Sequence, residues 1–410
     1  MGARVIIRDD PPLHPIFTPE CHRAMLARVA SPGPDPLFPA GSRTTFEGLR
    51  ARIREECIPA NVTLEITLRC NLRCVHCYNF DRALPYLPLA DRDQELSDPE
   101  VFRILGEIQA AGCITVTFTG GEALVHPGLD AFVRHARSLG MIVVVKSNGV
   151  LLDPPTARRL ADAGVSRVDV SVYGAEGATH DAFVKVAGAF ARTMEGAKAA
   201  KAAGLEVGFS FVLTRGNAGE LEAMMAWARV MDIPFAVDPQ VTARYDGSRS
   251  SLDERVDRAT LEQIYRGPLR VPAAACRPDR SVQCSCARTV AAVSAHGVVY
   301  PCIGAPMPAG NIREKPFAEI WKTSPVFQWI RGLTLDDFKA CQPCEHRLHC
   351  RRSSGVVFVN TGNYTGPERF GDDWTCMEAE VLHRIHDESP PVEPADSAGA
   401  GALRRHSQDD

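Results

Sequence analysis

The sequence has no stretch approaching the roughly 18 uninterrupted apolar residues of a membrane-spanning helix; its longest apolar runs are strand-sized, as in Met141 to Val145. A membrane partner is therefore not expected. The opening MGARVIIRDDPPLHP lacks the apolar core of a secretion signal. Charge of neither sign dominates, since 46 Lys and Arg face 50 Asp and Glu for a net charge of −4. Without a broad basic field, duplex nucleic acid is not an expected partner either. What the chain has in excess is cysteine, fourteen in 410 residues. With no secretion signal, the expected setting is a reducing cytoplasm, where clustered thiolates bind metal instead of pairing as disulfides.

A composition of 45% hydrophobic and 23% charged residues excludes a chain that is disordered or fibrous throughout. The first 43 residues are laden with proline, in DDPPLHPIF and SPGPDPLFPAG, and show no sustained period. They predict a loosely ordered arm, with a short helix over Thr45 to Glu56, so that residues 1–57 precede the core. The last 22 residues, from Ser389, carry too little apolar surface to offset the entropy of ordering. Residues 389–410 are accordingly expected to be a disordered tail.

Between these ends, β-branched runs alternate with helical patterns. The strand candidates are VTLEITL from Val62, ITVTF from Ile114, IVVVK from Ile142, VDVSV from Val168, VGFSFVL from Val207 and FAVD from Phe235. Ser97 and Glu100 form a capping box for a helix with Val101, Leu105, Ile108 and Ala111 on one side. Further helices are expected over Leu129 to Leu139, Pro155 to Ala163, Ala191 to Ala203 and Glu220 to Met231. Six alternating units without a Gly-rich nucleotide-binding fingerprint predict an α/β fold, a partial (β/α)6 TIM-like barrel over 58–270. Chemistry in such barrels sits at the carboxyl ends of the strands. Over 271–388 the alternation stops and eight cysteines crowd together: Cys276, Cys284, Cys286, Cys302, Cys341, Cys344, Cys350 and Cys376. So small a cysteine-rich domain is expected to take much of its folding free energy from bound metal.

Cys70, Cys74 and Cys77 stand in LRCNLRCVHCY, directly after the first strand. Three thiolates at this spacing suit three irons of a cubane cluster and leave the fourth iron to a non-protein ligand. The rival is a zinc site completed by His76, whose ring would have to turn toward the metal.

CxxxCxxC followed by the aromatic Tyr78 resembles the signature of the radical S-adenosylmethionine enzymes. Their fold is a partial (β/α)6 barrel, in agreement with the six units counted above. The resemblance implies that the cofactor chelates the open iron of a 4Fe-4S cluster and is cleaved reductively to a 5'-deoxyadenosyl radical. Thr119-Gly120-Gly121-Glu122 follows the second strand as the family's GGE motif does. Its glycines would let the backbone approach the methionyl ammonium, and Glu122 would accept from that cation. Ser147 and Asn148 end the third strand and Ser171 the fourth, at positions resembling those that contact the ribose or the methionyl carboxylate. The alternative for these three is ordinary strand-end capping.

Cys286, Gly297 and Cys302, then Cys341-x2-Cys344-x5-Cys350 and Cys376, resemble the SPASM extension, which holds two auxiliary 4Fe-4S clusters in peptide-modifying radical enzymes. Gly310-Asn311-Ile312 and Glu319-Ile320-Trp321 look like its linker. One position departs from the pattern, because the family's next cysteine, four beyond Cys350, is here Ser354. The first auxiliary cluster is then ligated by Cys276, Cys284, Cys286 and Cys302, or keeps an iron open to Ser354, water or substrate. The resemblance gives Cys341, Cys344, Cys350 and Cys376 to the second cluster, against a structural zinc ribbon on the same residues. Cys113 reads as a small core hydrophobe, and Cys21 and Cys57 have no visible partners.

The resemblance implies a peptide-modifying radical enzyme that abstracts hydrogen from a ribosomally made peptide, with auxiliary clusters aiding cross-linking or a similar oxidation. Asp238, Tyr245 and Asp246, beyond the sixth strand, are candidates to shuttle protons at the barrel mouth, as is Tyr173; each is otherwise a hydrogen-bonding loop residue. No fused leader-peptide domain is visible, so a separate recognition protein or direct binding is expected, with an electron donor such as flavodoxin or ferredoxin. Competing substrates are a sulfatase-type side chain, a quinone cofactor precursor and a tetrapyrrole. A cysteine-rich scaffold or redox sensor is the non-enzyme reading. The four-thiolate version of the first auxiliary cluster predicts that Cys276→Ser alters the cluster's iron-ligand spectrum; an unchanged spectrum rejects it.

Overall fold

Val62, Leu64 and Ile66, in the apolar core, alternate with Thr63, Glu65 and Thr67 along one strand, and nearly all of these residues are buried. A strand covered on both faces belongs in the middle of a parallel sheet. The computed structural model describes residues 5–6, 46–82, 94–270, 284–366 and 374–388, and in it this strand is central. Strand β1 (Val5–Ile6) is an edge pair, whereas β2 (Asn61–Thr67), β3 (Thr115–Gly120), β4 (Ile142–Ser147), β5 (Arg167–Val172), β6 (Glu206–Val212) and β7 (Phe235–Asp238) form six parallel strands in sequence order. They are the wall of a partial barrel. β1 pairs antiparallel with β7, so this piece of the expected loose arm is ordered.

The helices that return the chain start and stop where their residues dictate. Ser97 N donates to Glu100 Oε2 at 2.8 Å, opening the helix Asp98–Ala110 with its capping box. Asp153 accepts from Thr156 N at 2.9 Å at the start of Pro154–Ala163, and Gly164 closes that helix at φ +96°. Leu129–Ser138, Ala189–Ala202 and Leu221–Val230 complete the expected set. A helix over Gly177–Val184 is additional. Its sequence GATHDAFV has no apolar stripe to announce it.

The second region is continuous with the first. β8 (Val290–Val293) adds in parallel to the free side of β2, in register from Asn61 opposite Val290 to Leu64 opposite Val293. β9 (Val298–Tyr300) and β10 (Gly310–Asn311) extend it antiparallel, giving a ten-stranded sheet among the described residues. The helices Phe317–Thr323 and Pro325–Gly332 send Phe317, Trp321, Phe327 and Ile330 into the same apolar core as the barrel. Trp321 Nε1 donates to Cys57 O at 2.7 Å, and Arg313 Nε to Glu100 Oε1 at 2.6 Å. The expectation of a region without an apolar core of its own is thus modified: aromatic residues on two short helices share the barrel's core. The expected tail lies outside the described residues. Phe327→Ala should therefore destabilise the whole chain by about 3–5 kcal/mol. Urea unfolding followed by barrel circular dichroism should show the loss; an unmoved barrel transition would mean that the regions unfold independently.

Candidate radical-chemistry site

The loop after β2 is held from three sides. Arg73 N and Val75 N donate to the carbonyls of Val184 and Phe183 at 3.0 and 3.2 Å, so the unanticipated helix Gly177–Val184 supports it. Arg244 Nη2 donates to Val75 O at 2.7 Å, and Arg82 Nε to Cys77 Sγ at 3.0 Å. From β4, Asn148 Nδ2 donates to Asn71 Oδ1 at 2.7 Å. The result is a rigid loop that presents Cys70, Cys74 and Cys77 to a cavity of about 280 Å³ at the carboxyl ends of the strands.

Every residue expected at the cofactor lines that cavity: Tyr78, Gly120, Gly121, Glu122, Ser147, Asn148 and Ser171. Several are also engaged within the fold. Glu122, 2% exposed, accepts from Leu124 N at 3.0 Å, Ser147 Oγ at 2.9 Å and Asn148 N at 2.7 Å, stitching β3 to β4. Burial nevertheless raises its carboxyl above the ordinary value. Gly120 has φ +136°, and a Cβ there would collide with Thr67 O, as one on Gly121 would with the carbonyls of Arg69 and Leu68. Within the fold, then, the two glycines are dictated by the close approach of the β2 and β3 exits. Ser147 Oγ also accepts from Gly149 N at 2.9 Å, and Asn148 Oδ1 from Val150 N at 3.0 Å, which is strand-end capping.

Of the proton-shuttle candidates, Asp238 and Tyr245 line the cavity, as does Tyr173, whereas Asp246 does not. Asp246 accepts from Asp81 N at 3.0 Å and Ser248 N at 2.8 Å, the loop-fastening alternative. Tyr173 stacks on Phe183, with centroids 4.4 Å apart, and both rings enclose His76. Burial lowers His76 to about 4, a neutral imidazole.

Sequence reasoning passed over Glu65. It is 2% exposed, accepts from Tyr78 OH at 3.0 Å and is pushed up to about 7 by burial. Tyr78 in turn meets Tyr245 edge-on at 5.2 Å. The signal was present, since a carboxylate in the middle of a strand buried on both faces is costly without a partner.

Ile303 and Gly304, next to Cys302 in sequence, also line the cavity. Cys286 Sγ donates to Cys302 Sγ at 3.1 Å, and Cys284 packs beside them. Hydrogen bonds among these thiols push Cys286 up and Cys284 down to about 5. Ser354 shares a small cavity with Cys284 and Tyr364, and its hydroxyl is bonded by Arg352. Cys341 and Cys344 are joined by a backbone bond of 3.2 Å; Cys350 is pushed up to about 12 by burial, and Cys376 lies on the helix Trp374–Glu388. Cys276 and Cys21 lie outside the described residues. Cys113 is buried, as expected for a core residue.

The first cavity suits a sulfur-rich group. Three thiols face it, and in their loop Asn71 Nδ2 and His76 Nδ1 are buried without a protein partner. Unspent polar atoms at that depth fit a ligand with its own polar surface.

Residues 64–228 match the family model of the radical SAM superfamily, and residues 284–351 that of an iron-sulfur cluster-binding domain. The chain is 28% identical to an AdoMet-dependent heme synthase of Methanosarcina barkeri, over 76% of this chain and 96% of that protein. It is 32% identical to a PqqA peptide cyclase of Streptomyces rochei, over 70% of this chain and 82% of the relative. The fold is similar to that of Streptococcus suis SuiB bound to S-adenosylmethionine, at TM-score 0.54 and 16% identity, covering 84% of this chain and 82% of that one. Gly121→Ala should cost at least about 2 kcal/mol by forcing the β2 and β3 exits apart. Gly106→Ala, inside the helix Asp98–Ala110 with nothing within 4 Å of its added carbon, is the contrasting control and should stabilise by about 0.5–1 kcal/mol in urea denaturation.

Proposed function

The chain belongs to the radical SAM superfamily and carries a SPASM-type iron–sulfur domain, and from that premise we propose that it oxidatively modifies a ribosomally made peptide. The observation that carries this reading is that Cys70, Cys74 and Cys77 line the same cavity as Ile303 and Gly304, the residues that follow Cys302. A substrate lying along it would touch both sulfur-rich sites. When bound, a 4Fe-4S cluster and S-adenosylmethionine supply one-electron cleavage and hydrogen abstraction.

The chain's own residues then have separable tasks. Cys70, Cys74 and Cys77 would hold the cluster, and the Arg82 guanidinium at 3.0 Å from Cys77 Sγ offsets thiolate charge. Gly120 to Glu122, Ser147, Asn148 and Ser171 shape the wall against which the cofactor would lie, with Tyr78 closing it from the cysteine loop. Asp238, which lines the cavity, would take a proton there, the buried Tyr245 phenol in the same lining would act as a hydrogen-bond donor, and Glu65 holds the Tyr78 hydroxyl in position. Cys276, Cys284, Cys286 and Cys302 would carry one auxiliary cluster, and Cys341, Cys344, Cys350 and Cys376 the other, either of them able to take the substrate's second electron. The precursor peptide would be bound directly or through a separate leader-recognition protein, and an electron donor such as flavodoxin or ferredoxin would reduce the cluster.

The alignment with a heme synthase over 96% of its length favours a second reading, a tetrapyrrole substrate. Anaerobic incubation with S-adenosylmethionine, a one-electron reductant such as reduced flavodoxin, and peptides encoded near the gene should give cofactor cleavage and a peptide lighter by one pair of hydrogens. Cofactor cleavage with no peptide mass change, and a visible absorption shift on adding a coproporphyrin, would overturn the peptide reading. The reconstituted chain should hold about twelve irons with matching sulfide, and Cys74→Ala about eight with cleavage abolished. About four irons plus zinc would leave the SPASM-type region structural.

A further inference from the structure

Two copies of one short pattern, HRLH at 346–349 and HRIH at 383–386, lie far apart in sequence. The first occupies the short helical turn before Cys350 and the second the C-terminal helix Trp374–Glu388. In the fold they meet side by side. His346 Nδ1 lies 2.8 Å from His383 Nδ1, and His349 Nδ1 lies 2.8 Å from His386 Nδ1. His349 and His383 stack between the two pairs with centroids 4.5 Å apart, so the four imidazoles form one row.

In both pairs the same ring nitrogen faces inward. The outward nitrogens of the first pair face carboxylates: His383 Nε2 lies 3.2 Å from Asp387 Oδ2, and His346 Nε2 lies 3.6 Å from Glu345 Oε1. The inward nitrogens share one hydrogen bond, and Asp387 on the rear nitrogen of His383 favours the tautomer in which His383 Nδ1 accepts; a metal ion entering between the rings would displace the one proton that His346 Nδ1 donates, with the carboxylate as the usual outer partner of a metal-bound histidine. With metal–nitrogen bonds of about 2.1 Å, an inward separation of 2.8 Å already subtends roughly 85° at an ion. Opening the pair by about half an ångström would make that angle tetrahedral. The side chains of His346 and His383 are 20% and 23% exposed, open to an ion from solvent yet mostly shielded. Imidazole nitrogen favours zinc, nickel and copper over magnesium or calcium.

We propose that His346 and His383 chelate a divalent, imidazole-preferring metal ion of the zinc class, with the adjoining His349 and His386 completing the row. Among the described residues no three such side chains meet at one ion-sized point, so two imidazoles hold the ion and water fills the remaining positions. The ion clips the helix carrying Cys376 onto the segment carrying Cys344 and Cys350. This site is chemically separate from the thiolate sites and does not depend on the radical reading.

The test titrates Zn²⁺ calorimetrically into the full, cluster-loaded chain under argon. One saturable site is expected, weakened at least about tenfold in the double variant His346→Gln with His383→Gln, with iron and sulfide per chain unchanged. Should that double variant fail to load iron, Asp387→Asn keeps the imidazoles and should still weaken zinc about tenfold. Zinc-edge X-ray absorption should show only nitrogen or oxygen neighbours near about 2.0–2.1 Å. No saturable binding by the wild type, unchanged affinity in the variants, or sulfur at about 2.3 Å would each overturn the proposal, the last because zinc would then sit on cysteines.

Discussion

β2 is hydrogen-bonded in parallel on both sides, to β3 and to β8. That double pairing ties the barrel to the cysteine-rich region and fixes where the chain leaves the sheet toward Cys70. On the β3 side the approach is so close that residues 120 and 121 have no room for a side chain. On the β8 side, the strand continues through β9 toward Cys302. The cysteine loop after β2 and the chain leading to Cys302 are thus both anchored by pairing in one sheet.

Around this frame the fold buries an unusual amount of potential negative charge. Glu65 and Glu122 are each 2% exposed, and Cys70 is pushed up to about 11 by burial. Desolvation alone favours the neutral acids and thiols. The opposing cations are Arg82 on Cys77 and Arg244, 4% exposed, on the carbonyl of Val75. Thiolates at this depth are stabilised chiefly by what they bind, which is why metal or cluster loading and ionisation of the cysteine loop are one event. Glu122 differs, since its three donors come from the protein itself and its place is kept whether or not a cofactor is bound.

The six parallel strands and the helices between them were legible because each carries a local signal: β-branched runs of strand length, a Ser97/Glu100 box, an Asp153 cap. The first cysteine triplet and the GGE turn were legible from spacing and from their places after successive strands. The helix Gly177–Val184 was not, because GATHDAFV lacks the apolar stripe that a surface helix shows and is fixed by tertiary packing of Phe183 against Tyr173 and His76. The addition of β8 to β2 was hidden for a different reason: VAAV is a weak strand signal, and its partner lies more than two hundred residues earlier. Glu65 was readable in principle. Its strand is announced by a β-branched run, and a carboxylate buried inside such a strand must find a partner. The reason for Gly120 and Gly121 was read as cofactor approach, where the nearest constraint is backbone against backbone.

The one break in the SPASM-type pattern has a physical counterpart. Ser354 begins the helix Ser354–Thr361, and its hydroxyl is held by Arg352, whose guanidinium also donates to the carbonyls of Tyr364 and Gly366 at 2.7 Å each. Arg352 is 5% exposed, and burial lowers its pKa, while Cys341, Cys350 and Cys284 act on it in the opposite sense. A buried guanidinium facing neutral partners alone is strongly unfavourable; facing ionised thiolates it is compensated. Cys341, Cys350 and Cys284 all act on it, so ionisation of these thiols compensates the buried cation. A cysteine at 354 would add one more negative ligand to that balance. With serine there, the neutral hydroxyl leaves the cation to the remaining sulfurs, so the substitution and the buried arginine belong to one electrostatic arrangement.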